Sequence, residues 1–281
     1  MNDRKDFLRP EDYAEPRCLL GEEHYGSLPE VISIPQQRIA AKLEEHMSRR
    51  DYAGAERHLL YWLEEARLGH DLRGELFLCN ELIGHYRKSQ EQKNALRFID
   101  RALELLPLLQ LEGTLTVGTT LINAATACSA FGEEERALDL FSRARTIYES
   151  LRDVSAQKLG GLYNNMGVTL TALGRYSEAH ALYDMAMERM AQTRDGALEQ
   201  AITCLNRADT VTAERGTEAG EREITALLDR AWELLQTEAL PRDGYYAFVC
   251  EKCAPGFSYY GYFAAAAELK ETAERIYHER S

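Results

Sequence analysis

From residue 36 onward, apolar residues recur with the three-to-four-residue period of amphipathic helices, and glycines interrupt the pattern. The clearest segment begins at Gly160, turns at Gly174 and continues to Gln192. Its apolar and small residues occupy one helix face before the turn and one after it: Tyr163, Met166, Gly167, Leu170, Tyr176, Ala179, Tyr183 and Ala186. Because residues three and four apart share a helix face, this pattern predicts two helices around a tight turn.

The same two-helix pattern recurs along the chain, with starts near residues 36, 76, 118, 160, 201 and 247. The first unit is degenerate, and extra residues near Gly216–Gly220 displace the second helix of the fifth. In the last unit we expect Pro255 to interrupt the first helix, since proline removes a helical hydrogen bond. One helical pair cannot bury its apolar face alone, so such units stack on a shared core.

Two runs in this clearest segment resemble signatures of the tetratricopeptide repeat (TPR) family. The run from Tyr163 to Leu170 resembles W-x2-L-G-x2-Y, and the run from Ala179 to Tyr183 resembles A-x3-F. The spacing of about 42 residues is similar to repeats of kinesin light chains and of bacterial Rap- and PlcR-type regulators. Over residues 36–281, the resemblance implies an all-α, right-handed superhelical solenoid of about six helix–turn–helix repeats, the last one capping.

Residues 1–35 show no helical period and contain four of the chain's seven prolines. Because proline biases the preceding residue toward extended backbone, we interpret this segment as an extended N-terminal arm. Its apolar residues predict that it packs on the repeats: Leu19, Leu20, Val31, Ile32 and Ile34. A further hypothesis places the arm partly in the groove of the repeats, as an internal pseudo-ligand.

Eight aromatic residues crowd the segment from Tyr245 to Phe263. We interpret them as the core of a capping repeat, the alternative being that they close one end of a groove. A polar second helix, predicted from Glu268 to Arg280, suits a cap that has one face in water.

The charge balance removes several classes of function. With 46 acidic against 33 basic residues, the formal net charge is −13, which argues against binding to nucleic acid or to anionic lipid. No apolar run approaches the roughly 20 residues of a membrane span, and the mixed-charge N-terminus does not read as a signal peptide. We therefore expect a cytoplasmic protein that engages neither nucleic acid nor a membrane.

The cysteines and histidines form no recognisable catalytic set. Cys250 and Cys253 have the spacing of a zinc or redox pair, but a structural zinc site needs four ligands and no second pair is present. HExxH, GxSxG and GxxxxGK[ST] do not occur. We expect no cofactor, no metal and no enzymatic activity. Five of the six cysteines fall at core positions of first helices: Cys79, Cys128, Cys204, Cys250 and Cys253.

The TPR resemblance implies that the first helix of each repeat lines a concave groove. Asn123, Asn165 and Asn206 occupy one groove position in three consecutive repeats, and Asn80 and Asn164 occupy the preceding position. A side-chain amide both donates and accepts, so it can hold the backbone of an extended peptide. The alternative is that these asparagines bond neighbouring helices and brace the repeats. The remaining groove candidates are polar or charged: Arg87 and Lys88, which could receive a carboxylate, with Thr126 and Asp209.

Together these features predict a non-catalytic adaptor or regulator that binds a peptide or an extended protein segment in its groove. Two alternatives stay open. One is a structural scaffold that self-associates as a homodimer. The other is a sensor of a small molecule or metal that uses the C-terminal aromatic residues with Cys250 and Cys253.

Overall fold

A computed structural model describes residues 30–194 and 196–279. These residues form twelve α-helices and no strand. The chain divides into two compact units, Met1–Phe131 with the first five helices and Gly132–Ser281 with the other seven. The helices are α1 (Gln36–Ser48), α2 (Tyr52–Leu68), α3 (Leu72–Lys88), α4 (Gln92–Leu108), α5 (Leu115–Ala130), α6 (Glu134–Ser150), α7 (Ala156–Ala172), α8 (Tyr176–Met190), α9 (Gly196–Arg215), α10 (Thr217–Leu235), α11 (Gly244–Tyr259) and α12 (Phe263–Glu279). No helix among these residues is both long enough and apolar enough to cross a membrane.

Side-chain caps start several of the helices. Asp51, Asp71 and Ser155 each accept a hydrogen bond from the backbone N–H three residues later, at the starts of α2, α3 and α7. Thr114 and Asp243 cap α5 and α11 in the same way. These caps satisfy N–H groups that have no partner within a helix, so they fix where each helix begins.

Left-handed backbone marks many of the turns. The predicted turn glycines Gly132, Gly174 and Gly261 have φ angles of 76°, 71° and 84°, which glycine adopts without steric cost. In the first unit the equivalent positions are not glycine: Arg50, His70, Gln90 and Gln110, with φ between 51° and 61°. These four turns have the same left-handed geometry without glycine, at a steric cost of about 1–2 kcal/mol for each residue.

In the first unit, the end of the arm is pinned to the turn between α2 and α3. The Ile34 N–H donates to Asp71 Oδ2 (2.9 Å), the Ile32 N–H donates to the Gly69 carbonyl (2.8 Å), and the Ile34 side chain is buried. The side chains of Val31 and Ile32 are exposed, so of these three predicted anchors only Ile34 packs as one. Leu19 and Leu20, and the hypothesis of a pseudo-ligand arm, lie outside the described residues.

A buried carboxylate connects three helices of the first unit. Glu75 on α3 accepts hydrogen bonds from Arg67 Nε on α2 (3.0 Å) and from Arg101 Nη2 on α4 (2.8 Å). Burial alone would raise the pKa of Glu75, but the two guanidinium groups outweigh it and hold that pKa below its usual range. The ionised Glu75 therefore connects α3 to both α2 and α4.

In the second unit, the helical pairs α7/α8, α9/α10 and α11/α12 pack closely, and α9 contacts both α7 and α11. Gly167 shows why a small residue is required at one such contact. A Cβ atom at Gly167 would lie 2.5 Å from Cε1 of the fully buried Tyr183. The helices of this pair can approach only because that atom is missing.

Three features of the second unit differ from the sequence-based expectations. The extra residues near Gly216–Gly220 are absorbed by longer helices, and α9 and α10 are joined by Gly216 alone. α11 is not interrupted at Pro255: the helix runs on to Tyr259, with this proline on its exposed side. The last helix begins at Phe263 rather than at Glu268.

The aromatic segment between Tyr245 and Phe263 does not form a single cap core. Tyr246 and Phe257 are buried, as that interpretation requires. Other members point to solvent, the most exposed being Tyr259, Phe263 and Phe248 at 71%, 68% and 49%. The cluster is therefore divided between the core of the last helical pair and its surface.

We expect two glycines of α7 to respond in opposite ways to alanine. Gly167→Ala should lower the free energy of unfolding by about 1–2 kcal/mol, because overpacking against Tyr183 outweighs the gain in helix propensity. Gly161→Ala should raise it by about 0.5–1 kcal/mol, because nothing lies within 4 Å of its added Cβ. Urea unfolding followed by circular dichroism measures both, and equal effects would contradict the close contact.

We expect Glu75→Gln to lower the free energy of unfolding by about 1–3 kcal/mol at pH 7, since hydrogen bonds to the charged group are weakened. The pKa of Glu75 is depressed in the folded state, so this stabilisation is present above the unfolded pKa of about 4.3 and is lost as pH falls through the folded pKa. Unfolding curves of both proteins from pH 7 to pH 3 should therefore converge toward low pH. A difference that stays constant over this range would rule out an ionised Glu75.

Candidate functional site

The predicted groove residues all lie on first helices of the helical pairs. Asn80, Arg87 and Lys88 are on α3, and Asn123 and Thr126 are on α5, all in the first unit. The second unit carries the other four: Asn164 and Asn165 on α7, with Asn206 and Asp209 on α9. Each unit therefore presents its own set of these side chains.

In the first unit, the asparagines bond to one another. Asn123 Nδ2 donates to Asn80 Oδ1 (3.0 Å), and Asn80 Nδ2 donates to Thr120 Oγ1 and to the Leu76 carbonyl, both at 3.0 Å. The Asn80 amide thus uses both donors and its acceptor inside the protein. This residue links α3 to α5, as the bracing alternative predicts.

The second unit repeats this link two repeats further along. Asn206 Nδ2 on α9 donates to Oδ1 of the buried Asn164 on α7 (3.1 Å). The bond joins residues 42 apart, and the Asn80–Asn123 bond joins residues 43 apart. Consecutive first helices are therefore tied at corresponding positions in both units.

Asn165 differs from the other four asparagines. Its side chain is half-buried, and within the described part of the chain its amide has no hydrogen-bond partner. The backbone carbonyl of Asn165 is occupied by Thr169 Oγ1 (3.1 Å), as is usual inside a helix. Asn165 consequently offers a complete set of amide donors and an acceptor to an incoming molecule.

A cavity of about 480 Å³ opens on the α3 and α5 side of the first unit. Asn80, Thr120 and Asn123 line it together with apolar Phe77 and Leu115. Arg73 and Glu81 add one charge of each sign. The sequence-based set missed Phe77, Leu115 and Arg73, although Phe77 stands at a groove position of its repeat.

The charged candidates of the first unit lie near the end of α3. Arg87 is half-buried, and burial lowers the pKa of its guanidinium, whereas Lys88 is exposed. Thr126 Oγ1 donates to the Ile122 carbonyl one turn earlier (2.8 Å), so its donor is already used. Burial raises the pKa of Glu81, which Lys88 offsets only in part.

Asp209 is held by a tyrosine of the last helical pair. The Tyr260 hydroxyl donates to Asp209 Oδ1 (2.8 Å) and also lies 2.9 Å from Thr212 Oγ1. Burial raises the pKa of Asp209, and the hydrogen bond from Tyr260 opposes that change. The other carboxylate oxygen has no partner among the described residues.

Exposed apolar side chains accompany the polar ones on α7 and α11. Val168 lies one turn after Asn165, while Phe248 and Tyr259 lie on the exposed side of α11. All three occupy positions that the TPR resemblance assigns to the groove, so they could have been predicted from their place in the repeat. The face of α7, α9 and α11 thus combines free amide groups with exposed apolar surface.

Cys250 and Cys253 are buried free thiols. Burial raises the pKa of Cys250 to about 11 and that of Cys253 to about 12, so both are thiols at neutral pH. Within residues 30–194 and 196–279, no three His, Cys, Asp or Glu side chains are grouped so as to hold a metal ion. Five cysteines are buried as free thiols, at the positions predicted for core packing: Cys79, Cys128, Cys204, Cys250 and Cys253.

No family model matches the chain, and no curated protein sequence matches it. Solved structures do. BtubC (BKLC) from P. vanneervenii aligns with a TM-score of 0.59 at 19% identity, over 70% of this chain and 78% of its own. A putative kinesin light chain from Podospora anserina, with nearly identical TPR-like repeats, aligns with a TM-score of 0.50 at 15% identity, over 74% and 97%. A single-residue variant of that protein aligns with a TM-score of 0.51 at 16% identity, over the same shares.

At these identities the likeness concerns the fold. The chain has the all-α fold of TPR-like helical repeats, as its sequence signatures predicted. The likeness to a kinesin light chain agrees with one half of the predicted family resemblance. The resemblance to Rap- and PlcR-type regulators and the significance of the 42-residue spacing stay predictions.

We expect Asn206→Ala and Asn165→Ala to have different effects on stability, because Asn206 bonds to a neighbouring helix and, among the described residues, the Asn165 amide does not. Asn206→Ala should lower the free energy of unfolding by about 1–2 kcal/mol, because it leaves the oxygen of buried Asn164 without its donor. Asn165→Ala should leave stability unchanged or raise it by up to about 0.5 kcal/mol, because alanine favours the helix and no bond is lost. Urea unfolding of the two variants provides the comparison, and a similar loss in both would mean that Asn165 is also a brace.

Proposed function

We propose that this chain is a non-catalytic adaptor or regulator that binds an extended peptide segment along the first-helix face of its second unit. The observation that carries this function is the unpartnered amide of Asn165, presented on a helix face where the neighbouring asparagines are braced. A solvent-facing amide without a partner, beside exposed apolar residues, is suited to holding a peptide rather than to catalysis.

The two outward-facing asparagines supply complementary groups. Asn165 has its amide N–H groups and its carbonyl available, and Asn206 keeps one N–H after bonding to Asn164. An amide side chain can donate to a peptide carbonyl and accept from a peptide N–H, whatever the peptide's sequence. Because the Asn164 bond fixes the Asn206 side chain, less rotamer entropy is lost when a peptide binds.

The apolar members of the face would supply selectivity. Val168, Phe248 and Tyr259 offer surface on which alternate side chains of an extended peptide can lie. In the first unit, the cavity beside Asn123, with Arg87, Lys88 and Thr126 further along its helices, extends the proposal to a second binding face. Ordering a flexible peptide is costly, so we expect modest affinity in each case.

We place this function in the cytoplasm. The five described cysteines are all free, buried thiols, which is the state typical of a reducing compartment. The partner we propose is a protein segment, with no role for nucleic acid, membrane or cofactor.

A second candidate function is self-association as a homodimeric scaffold. It is favoured by the exposed aromatic residues Phe263, Tyr245 and Phe248 at the end of the second unit, where the last two rings stack at 6.2 Å. Light scattering after size-exclusion chromatography decides between them. A monomer across the micromolar range would remove the scaffold, and a dimer lost in Phe263→Ser would support it.

We expect a phage-displayed library of random 12-residue peptides to yield binders of the wild-type chain. Asn165→Ala should lower the affinity for the selected peptides about 5- to 20-fold, because two hydrogen bonds to the peptide backbone are lost. Asn94→Ala, on the second helix α4 and bonded to Glu91, should bind like wild type and serves as the matched control. Fluorescence anisotropy with synthetic peptides measures these affinities.

The backbone mechanism has its own readout. N-methylation of the peptide bond that faces Asn165 removes a peptide N–H, which we expect to donate to the Asn165 side-chain oxygen. It should therefore weaken binding to wild type. Binding to Asn165→Ala should not change, because the variant has no such oxygen. A selection that enriches no peptide, or binders that ignore Asn165→Ala, would overturn the proposed function.

A further inference from the structure

Asp209 stands on the proposed binding face with its carboxylate already oriented. It follows Asn206 by three residues, so both share one side of α9. The Tyr260 hydroxyl holds one carboxylate oxygen, and Thr212 in turn contacts that hydroxyl. The second oxygen is left for another donor, and its direction is set before any ligand arrives.

No cation of the described chain neutralises this carboxylate. Elsewhere in the second unit, acids of the second helices have arginine partners, such as Glu149 with Arg145 (2.7 Å) and Glu178 with Arg175 (2.7 Å). The arginine nearest in sequence, Arg207, is committed to Asp184 at 2.6 Å. The Asp209 side chain is exposed, so its second carboxylate oxygen is accessible to a cation from solution, and partial desolvation raises the pKa of this group.

An exposed aromatic ring adjoins the residue that holds Asp209. Tyr259 is 71% exposed and packs edge-on against Tyr260, with ring centroids 4.9 Å apart. A tyrosine ring attracts an ammonium or guanidinium group over its face, and its edge covers the aliphatic stem of a lysine or arginine. Asp209 and Tyr259 therefore offer the two kinds of contact that a basic side chain makes best.

We propose that the peptide bound on this face carries a lysine or arginine, whose charged group pairs with Asp209 while its stem lies across Tyr259. This assignment of the peptide's chemistry rests on the proposed function. It does not depend on the net charge of the chain, because it concerns one oriented carboxylate rather than the general acidity.

The size of the effect follows from the exposure of the pair. Ion pairs open to solvent contribute less than buried ones and weaken with salt. An exposed ion pair loses side-chain entropy when it forms. The hydrogen bond from Tyr260 already restricts Asp209, and the Tyr259 ring restricts the basic side chain, so this loss is smaller here. We expect the basic residue to strengthen binding about 5- to 15-fold at low ionic strength, and less at 0.5 M salt.

The test uses the same random peptide selection and a double-mutant cycle. Wild type should select peptides that share one lysine or arginine at a constant distance from the segment sensitive to Asn165→Ala. For one such peptide, norleucine in place of lysine should weaken binding to wild type about 5- to 15-fold and leave binding to Asp209→Asn nearly unchanged. Asparagine keeps the oxygen that accepts from Tyr260, so this variant removes the charge and retains the local structure.

Asp229→Asn is the matched control. Asp229 lies on the second helix α10 and accepts from the Tyr262 hydroxyl at 3.0 Å, so it copies the tyrosine–aspartate contact away from the proposed face. This variant should discriminate lysine from norleucine like wild type. Tyr259→Ala should weaken the binding of the lysine peptide and of the norleucine peptide alike, because both keep the stem that lies across the ring. Circular dichroism confirms that each variant is folded.

The outcomes separate the two levels of the proposal. Peptides that require Asn165 but carry no constant basic residue, or that carry an acidic or aromatic one there, would overturn the lysine or arginine assignment and leave peptide binding intact. Discrimination unaffected by Asp209→Asn would do the same. A selection without any binder would overturn the proposed function, and this assignment with it.

Discussion

Side-chain amides that tie successive first helices together set the limits on what these helices can bind. Each amide has two donors and one acceptor group, and every bond made inside the protein is withheld from a ligand. Asn80 has none left, because it bonds Leu76, Thr120 and Asn123 at once. Asn206 keeps part of its capacity after bonding Asn164, and Asn165 keeps all of it. From the sequence, bracing and binding look like exclusive roles for these asparagines. In the structure, the hydrogen-bonding capacity that is left for a ligand differs from one asparagine to the next.

The same division appears in the carboxylate of Asp209. Tyr260 fixes one oxygen and leaves the other open, just as Asn164 fixes one N–H of Asn206 and leaves the other. A group held at one atom loses rotamer freedom when the protein folds rather than when a ligand binds. Packing in the repeats and recognition on their face are thus connected: the contacts that keep α9 beside α7 and α11 also orient the groups that face outward.

Much of this arrangement can be predicted from the sequence, for identifiable reasons. Apolar period, turn glycines such as Gly174 and cysteines at core positions follow from local spacing, and the helices obey it. Asparagine recurs at one register position in alternate repeats, at Asn80 and Asn164, and each accepts from the next repeat. The Glu75 link was not foreseen, because Arg67 and Arg101 lie on separate helices, 8 and 26 residues away. The expectation that Pro255 interrupts its helix was wrong: α11 continues through this proline, which lies on the exposed side of the helix.

The net charge of −13 gains meaning once the acids are sorted by their partners. Many acids of the second helices are paired with arginines and add little field of their own. Glu81, Glu199 and Asp209 are different: they lie on first helices, burial raises the pKa of each, and none forms an ion pair among the described residues. A carboxylate in that state is less stable than one in water, and a cation that approaches it recovers part of the difference. The proposal of a positively charged ligand therefore rests on the few acids without partners on the first-helix faces, and not on the total charge of the chain.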